Sequence, residues 1–383
     1  MPDREPKVDR RSNSTPVPIL LMTYSLGYGG GERQLAQTAL SIDRNRFQPH
    51  IACCQGGFWV DRLTRAGIPV FFIGSRSLMS ADAVREAFRL RQYIRDHRIR
   101  IVQTFDYSMN VFGIPVALSA GGVVAISNLR CHLDLIPPRY RWLSRMAFHV
   151  SAGVVVNSQA LRRHLSENSR IKAGKIFPCY NGIDTAAFHP SPRQYFPGLE
   201  DASVVIGTVC VMRPEKNLPL LLEAFSVVAA GRRDLRLFLV GGGPEELALR
   251  ALSVQLGIVE KCVFHVSSSD VAACLSAIDV FVLPSLTEGL SNSIMEAMAC
   301  GSCVIASNVG GNPELITDGV TGLLFPSQDR DALIERLYAT LADADLRRSL
   351  GSAAAGQVRA EFSLGRSAER MQRIYDTLLT CGS

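Results

Sequence analysis

Two glutamates eight positions apart are the residues of this sequence whose types and spacing most clearly allow chemistry. Glu288 follows the apolar run at residues 280–283, which predicts a strand, and Glu296 falls in the first turns of the helix predicted to start near Ser293. A helix N-terminus offers N–H donors and partial positive charge. A loop carboxylate can contact sugar hydroxyls there, and the helix carboxylate can accept hydrogen bonds from both hydroxyls of a ribose. Ser293 and Glu296 also have the spacing of a helix capping box, so this second interpretation of Glu296 stays open.

Lys216 is the cation best placed to act with these carboxylates. It lies in segment 213–217, after the first predicted strand of the second half of the chain and before a helix. A lysine at the carboxyl end of a strand is well placed to neutralise a diphosphate. A solvated surface charge is the alternative.

Two glycine clusters also follow predicted strands. Residues 29–31 open a helix, and residues 241–243 precede Pro244, which suits a first helical turn. Glycine lets backbone N–H groups approach a phosphate closely, and a helix N-terminus favours anions. Each cluster can equally be a plain turn, and the first lacks the G-x-G-x-x-G pattern of a dinucleotide-binding fingerprint.

A regular alternation of apolar runs and helical patterns predicts the elements that position these residues. Because strands that alternate with helices form parallel sheets covered on both faces, the fold class is α/β, with two doubly wound domains in tandem. Ligands of such domains bind beyond the carboxyl ends of the strands, which places the site in the cleft between the domains. A proline-containing segment, 181–203, is the predicted linker. The predicted strands are residues 19–24, 50–54, 70–73, 101–104, 123–126 and 154–156 in the first half, and 204–209, 235–240, 262–266, 280–283 and 304–307 in the second.

The composition is that of a globular protein with a sizeable core. The 383 residues are 47% hydrophobic and 20% charged, and no apolar run reaches the roughly 18 residues that span a bilayer. The first 15 residues lack the apolar centre of a signal peptide, so we expect a disordered lead-in. The 10 cysteines are scattered, as expected of buried thiols in a reducing compartment such as the cytoplasm. Cys300 and Cys303 have no second pair or histidine cluster beside them, and we predict core residues rather than a zinc site.

The basic residues are concentrated in the first half of the chain. Residues 1–190 contain 25 Lys and Arg against 13 Asp and Glu, whereas the remainder contains 16 against 22. This asymmetry indicates a polyanionic partner, either phosphates or an anionic membrane surface. We expect no nucleic-acid partner, because no recognised nucleic-acid module is present.

A predicted helix at residues 138–148 mixes cations with aromatic side chains. At helical spacing Arg141 and Arg145 share one face, and Trp142 and Met146 share another. Such a helix can rest on an anionic membrane and bring a lipid-linked acceptor to the cleft. The alternative is an ordinary amphipathic helix with Trp142 in the core.

Several short motifs together resemble those of glycosyltransferase family 4. The resemblance extends from about residue 19 to residue 375 and is clearest in the second half. It implies the GT-B fold of two facing Rossmann-like domains, retention of anomeric configuration and no metal requirement. The motifs are GGGER at 29–33, NGID at 181–184 with Phe188, RPEKN at 213–217, GGGP at 241–244, Pro284-Ser285 with Glu288-Gly289, EAMA at 296–299 with Gly301, and Gly310-Gly311 with Glu314-Leu315.

The resemblance implies a role for each of the residues singled out above. Lys216 holds the diphosphate of a nucleotide-sugar donor, Glu288 lies beside the transferred sugar near its anomeric centre, and Glu296 binds the nucleotide ribose. Lys216 and Glu288 are therefore predicted catalytic residues. The predicted donor-binding set is Gly30, Gly31, Arg213, Lys216, Gly242, Glu288, Leu290, Ser291 and Glu296.

The chain departs from the family pattern at two positions. Many relatives have an arginine three residues before the motif proline, where this chain has Val211. Either Arg213 supplies this charge, or the motif lysine acts with backbone donors alone. Many relatives also have a histidine at the end of the fourth predicted strand, where Phe105 stands here. Asp106 and His132 are the nearest polar substitutes; we predict His132 as a third catalytic residue, with an ordinary loop histidine as the alternative.

The domain boundaries follow from the resemblance and the predicted elements. Residues 1–15 are the lead-in, 16–190 the N-terminal Rossmann-like acceptor domain, and 191–362 the C-terminal domain that binds the nucleotide sugar. Residues 363–383 are predicted to be a helix that packs back on the N-terminal domain.

The sequence therefore predicts an enzyme, a retaining glycosyltransferase of the hexosyltransferase type. It would move a sugar from a nucleotide-diphosphate-sugar donor to a carbohydrate or lipid-linked acceptor, in cell-surface polysaccharide or glycolipid synthesis. We expect it in the cytoplasm or peripherally on the inner face of the membrane, without a cofactor. Two D-x-D segments, 329–331 and 343–345, are better explained as helix caps than as metal ligands. A nucleotide-sugar 2-epimerase and a non-catalytic binding subunit of the same fold are the alternatives.

Overall fold

The apolar runs of the two halves of the chain form two separate parallel sheets. The computed structural model describes residues 15–75, 80–266 and 270–381. Residues 1–14 of the predicted lead-in lie outside the described residues. Parallel strands need crossover connections, and helices supply most of them here.

The first sheet has seven strands in the order β3-β2-β1-β4-β5-β6-β7. Its strands are β1 (Val17–Ser25), β2 (Phe47–Gln55), β3 (Val70–Phe72), β4 (Ile101–Thr104), β5 (Val124–Leu129), β6 (Gly153–Val156) and β7 (Ile176–Pro178). The helices of this half are α1 (Gly30–Ser41), α2 (Trp59–Arg65), α3 (Ala81–Asp96), α4 (Tyr107–Ala120), α5 (Pro138–Val150) and α6 (Gln159–Ser169).

Both faces of this sheet are buried. Along β1, Ile19 and Leu21 belong to the core on one face, and Leu20 and Met22 belong to the core on the other. Because neither face meets water, the strand is apolar without interruption rather than alternating.

The second sheet has six strands in the order β10-β9-β8-β11-β12-β13. Its strands are β8 (Val204–Val209), β9 (Leu235–Val240), β10 (Cys262–His265), β11 (Val280–Leu283), β12 (Cys303–Ser307) and β13 (Leu323–Phe325). The helices are α7 (Leu218–Val228), α8 (Glu246–Gln255), α9 (Val271–Ser276), α10 (Asn292–Ala299), α11 (Asn312–Leu315), α12 (Arg330–Ala342), α13 (Ala344–Glu361) and α14 (Leu364–Cys381).

Each sheet reverses its strand order beside its first strand. In the first sheet β1 lies between β2 and β4, and in the second β8 lies between β9 and β11. A crevice opens at such a switch point beyond the carboxyl ends of the strands. The two-domain α/β architecture predicted from the sequence is confirmed.

The chain passes between the two halves twice, and the two crossings are hydrogen-bonded to each other. The N–H of Ile183 donates to the carbonyl of Phe362 at 2.8 Å, and the N–H of Leu364 donates to the carbonyl of Ile183 at 3.0 Å. After the second crossing, α14 returns to the first domain. Its Tyr375 is fully buried in the core beside β1 and donates a hydrogen bond to Gln103 of β4.

Two helices, α4 and α5, differ from what the sequence indicated. The helix α4 was not among the predicted elements; it is apolar on all sides and contains Pro115, so it shows neither a helical stripe nor a helix-favouring composition. The helix at 138–148 is present as α5, but the alternative that placed Trp142 in the core is wrong, because 63% of this side chain is exposed.

Smaller predictions about caps and cysteines can be compared directly with the structure. Asp329 and Asp343 accept backbone hydrogen bonds at the starts of α12 and α13, so the capping interpretation of both D-x-D segments is confirmed. Cys303 is buried and Cys300 is half-buried, and neither is in a disulfide. Within the described ranges, no three His, Cys, Asp or Glu side chains are grouped closely enough to hold a metal ion, and no helix is both long and apolar enough to cross a bilayer.

Candidate active site

A cleft of about 690 Å³ lies between the two domains. Its walls on one side are the first turn of α1 and the loop after β5. On the other side they are the loops after β8 and β9, together with the loop between β11 and α10. All of these segments follow strands at their carboxyl ends, which is why the sequence-distant motifs meet here.

Lys216 and Glu288 form an ion pair in this cleft. The Nζ of Lys216 lies 2.5 Å from Oε1 of Glu288, and the hydroxyl of Ser285 donates to the same oxygen at 2.8 Å. Burial alone would lower the pKa of Lys216, but the carboxylate of Glu288 raises it above its ordinary value. The lysine is therefore a permanent cation, held by a carboxylate that is itself in the cleft.

Glu296 pairs across the cleft with the first domain. Its carboxylate is in contact with the guanidinium of Arg33, which projects from the first turns of α1. Only 4% of the Glu296 side chain is exposed. Burial raises the pKa of Glu296, and the charge of Arg33 opposes this shift.

The capping-box interpretation of Glu296 is wrong. The helix α10 is capped two residues earlier than the pattern indicated, by Ser291, whose Oγ accepts from the N–H of Ile294 at 3.4 Å. The carboxylate of Glu296 is therefore free of the helix terminus and faces the cleft.

The two glycine clusters lie on opposite walls of the cleft. Gly30 and Gly31 begin α1, and a Cβ added to Gly30 would come within 2.8 Å of the side-chain amide of Asn292. Gly242 lines the other wall, and a Cβ on its neighbour Gly241 would come within 2.0 Å of the carbonyl oxygen of Cys210. The second cluster thus needs glycine for close backbone approach, whereas the first is limited by a side chain.

The remaining predicted donor-binding residues also line the cleft. Arg213 is largely exposed, and its guanidinium is 3.8 Å from the carboxylate of Glu215. Leu290 is buried, and its carbonyl accepts from the side-chain amide of Asn181 at 3.4 Å. The hydroxyl of Ser291 accepts a hydrogen bond as the cap of α10, which leaves its O–H as a donor.

His132 is a predicted site residue that does not lie with the others in the cleft. Its ring is 3.7 Å from that of His164, and its Nδ1 is 3.1 Å from a carboxylate oxygen of Asp134. The neighbouring residues Cys131 and Leu135 line the cleft, whereas His132 does not. Its geometry gives no support to a catalytic role.

Asp106 and Phe105 both make contacts that stabilise the first domain. Asp106 caps α4 by accepting from Met109 at 2.9 Å, and its second oxygen accepts from the N–H of Tyr24 at 2.6 Å. Both carboxylate oxygens are therefore occupied. Phe105 is buried, and the guanidinium of Arg130 lies over its ring at 4.8 Å.

Sequence reasoning missed the hydrogen bonds among polar residues around the cleft, one of which connects the two domains. Asn181 accepts from Arg130 at 2.7 Å and donates to the side chain of Asn292 at 2.8 Å. Gln34 exchanges two hydrogen bonds with the backbone of Gly182, at 2.9 and 3.0 Å. Arg130 follows β5 directly, so the rule that ligands bind at strand carboxyl ends could have found it.

Comparisons with known proteins agree with this architecture. The chain matches the model for Glycosyltransferase Family 4 at residues 28–187 and the model for Glycosyl transferases group 1 at residues 196–357. The fold and the inter-domain cleft are those of the GT-B class, as predicted. The crystal structure of Anabaena HepE in complex with UDP and glucose has a TM-score of 0.81 and 20% sequence identity, covering 94% of this chain and 100% of that one.

Two curated relatives show the range of sequence similarity. The GDP-mannose-dependent monoacylated alpha-(1-6)-phosphatidylinositol monomannoside mannosyltransferase of Corynebacterium glutamicum is 30% identical over 274 residues, which are 67% of this chain and 71% of that protein. The D-inositol 3-phosphate glycosyltransferase of Mycobacterium marinum is 29% identical over 266 residues, 66% of this chain and 56% of that protein. This chain belongs to glycosyltransferase family 4.

Proposed function

We propose that this glycosyltransferase binds a nucleotide-diphosphate sugar in the inter-domain cleft and transfers the sugar with retention of anomeric configuration. The observation that supports this most strongly is the convergence of Lys216, Glu288 and Glu296 on one cleft, from three separate segments. The relative from C. glutamicum is named for GDP-mannose, and the HepE structure contains UDP. Both names support a nucleotide donor, and they leave its base open.

The transfer exchanges one bond to the anomeric carbon for another. The acceptor oxygen bonds to the anomeric carbon, and the bond to the diphosphate breaks with its electron pair passing to the phosphate oxygen. The acceptor's proton goes to the departing phosphate or to water. Lys216 stabilises the charge that develops on the diphosphate, which is the contribution expected of a preorganised cation in a partly buried site. No metal is required in this proposal.

The two carboxylates bind different parts of the donor in this proposal. Glu288 lies beside Lys216 and accepts hydrogen bonds from hydroxyls of the transferred sugar. Glu296 accepts hydrogen bonds from hydroxyls of the ribose. To do so, it must share its contact with Arg33 or give it up. Gly30, Gly31 and Gly242 allow the backbone to approach the phosphates and the nucleoside, and Arg213 adds positive charge at the rim.

The acceptor in this proposal is a carbohydrate or a lipid-linked sugar presented at an anionic membrane surface. On α5, 63% of Trp142 and 50% of Met146 are exposed, and on α3 66% of Phe88 is exposed. Aromatic and apolar side chains among arginines suit the interface of an anionic bilayer. The name of the C. glutamicum relative, which refers to a phosphatidylinositol monomannoside acceptor, supports a lipid acceptor. The enzyme would then act in the cytoplasm, peripherally on the membrane.

A thermal-shift panel of nucleotide sugars tests the donor, because a bound ligand stabilises the folded state by mass action. We expect one nucleoside-diphosphate sugar to raise the melting temperature and the corresponding free sugar to have no effect. The same donor incubated with acceptor-containing vesicles should give a product whose anomeric configuration, read by NMR, matches the donor. An epimer formed from the donor alone would instead establish a 2-epimerase, and binding without turnover would establish a non-catalytic subunit.

A further inference from the structure

The charges that line the cleft do not balance. Four cations line it, and three of them have a carboxylate partner. Among residues 15–75, 80–266 and 270–381, Arg130 has no carboxylate within ion-pair distance. The three paired cations are Arg33 with Glu296, Arg213 with Glu215 and Lys216 with Glu288.

Arg130 is held firmly by neutral neighbours. One of its terminal nitrogens donates to Oδ1 of Asn181 at 2.7 Å, and the plane of its guanidinium lies over the ring of Phe105 at 4.8 Å. Its Nε is buried and has no hydrogen-bond partner within the described chain. The group is therefore oriented, and it retains unused donors.

A partly buried cation without a counter-ion is unfavourable for the folded protein. Burial lowers the pKa of Arg130 to about 10, which still leaves the guanidinium charged at neutral pH. An unpaired buried charge is retained at a cost in stability, and that cost is relieved when an anion binds. A guanidinium is also the side chain best matched to a phosphate, because its planar fork can donate two parallel hydrogen bonds.

The position of Arg130 brings it to the donor side of the cleft. Its carbonyl oxygen packs against Gly289, where an added Cβ would come within 2.4 Å of that oxygen. Gly289 directly follows Glu288. The donor domain has an uncharged residue, Val211, exposed in the same cleft. An arginine from the opposite domain thus stands next to a donor loop that has one cation fewer than many of its relatives.

We propose that Arg130 binds a phosphate oxygen of a substrate, from the acceptor-domain side of the cleft. This inference rests on the proposed function and adds a contact to it. The phosphate is either the diphosphate of the donor or a phosphate on the acceptor; the contact with Gly289 favours the diphosphate. Asn181 also donates to the side chain of Asn292 at 2.8 Å, so the residue that orients the arginine is itself hydrogen-bonded to the second domain.

The test compares diphosphate and nucleoside binding in two arginine variants. Arg130→Met removes the charge, and Arg62→Met is the matched control, since Arg62 also stacks on an aromatic ring, 5.5 Å from Trp59, but does not line the cleft. Calorimetric titrations use UDP, GDP, uridine and guanosine at one salt concentration. We expect Arg130→Met to weaken binding of the preferred diphosphate roughly 10- to 100-fold, the range of a charge-assisted hydrogen bond, and to leave the nucleoside unchanged. Arg62→Met should change neither.

The alternative outcomes separate the possible sources of the phosphate. If diphosphate affinity is unchanged and the KM for the acceptor rises by a similar factor, the phosphate belongs to the acceptor. If neither changes, the inference is overturned while the proposed function stands. If the wild-type chain binds no nucleoside diphosphate, the proposed function fails and this inference fails with it. Should Arg130→Met not fold, Arg130→Lys keeps the charge and loses the fork; we expect a smaller loss of the same kind, and equal affinities would overturn the proposal.

Discussion

Glu296 and Arg33 show how a single ion pair can connect donor binding to the closure of the domains. The carboxylate comes from α10 of the second domain and the guanidinium from α1 of the first. A ribose that donates hydrogen bonds to Glu296 must compete with this pair or share it. The same contact therefore joins the domains and occupies the proposed nucleotide site.

Replacing Glu296 with alanine should chiefly weaken nucleotide binding. The substitution removes the proposed ribose contact and leaves Arg33 without its partner, so we expect nucleoside affinity to fall roughly 10-fold, as for loss of a hydrogen bond to a charged group. Titration with the nucleoside of the preferred donor measures this. Glu215→Ala, on the same cleft but beside Arg213, is the control; unchanged nucleoside affinity in the Glu296 variant would reject the ribose role.

At the scale of elements, the N-terminus of α6 is capped from the other domain. The two carboxylate oxygens of Glu314 accept from the N–H groups of Gln159 and Ala160, at 2.8 and 2.7 Å. The first turn of a helix has unpaired N–H groups and partial positive charge, and both favour a carboxylate there. The helix α11, which contains Glu314, thus fastens the second domain to the first.

Glu314→Gln should loosen this contact without touching the ligand. The change removes the charge, so we expect a loss of about 1 kcal/mol in stability and a higher KM for both substrates. Chemical denaturation and steady-state kinetics measure the two effects. Asp329→Asn removes a carboxylate cap of α12 within one domain and is the control; if it raises KM as much as Glu314→Gln does, the capping contact has no special part in closure.

The elements that the sequence predicted well are those whose signal is local. The strands β1, β8 and β9 are mostly apolar runs bounded by turns, and their predicted ends agree with the observed ends within a few residues. The helix α4 was missed because its exposed side, with Pro115 and Leu118, is apolar like its buried side, which removes the helical stripe. The cap of α10 was misplaced by two residues because Ser291 and Ser293 are both acceptable caps by pattern, and only the loop geometry decides between them.

The candidate site was predictable only in part, for a physical reason. Lys216 and Glu288 stand at strand ends with motif spacing, and they do meet. The contacts of Arg33 with Glu296, and of Asn181 with Asn292, join residues far apart in sequence and depend on how the domains pack. No spacing rule reports such contacts.

At the scale of the whole molecule, the exposed apolar side chains of α3 and α5 suggest how the enzyme meets its acceptor. We expect the wild-type chain to sediment with vesicles that contain phosphatidylglycerol, and to do so less at higher salt, because screening weakens surface electrostatics. Trp142→Glu should reduce the bound fraction several-fold by opposing both the apolar and the charge contribution. Leu247, which is 82% exposed on α8 of the second domain, supplies the control variant Leu247→Glu. Equal binding of all three proteins, or none, would discard the membrane surface.

The proposed function depends above all on the pairing of Lys216 with Glu288, and a turnover assay measures what this pair contributes. The measurement is the rate of nucleoside diphosphate release from the preferred donor in the presence of acceptor, for the wild type, Lys216→Ala and Glu288→Ala, with the exposed Lys172→Ala as a control. We expect each cleft variant to be slower by roughly 100-fold or more, as for loss of one electrostatic contact to the transition state, and the control to match the wild type. Near wild-type release in either cleft variant would contradict the proposed function.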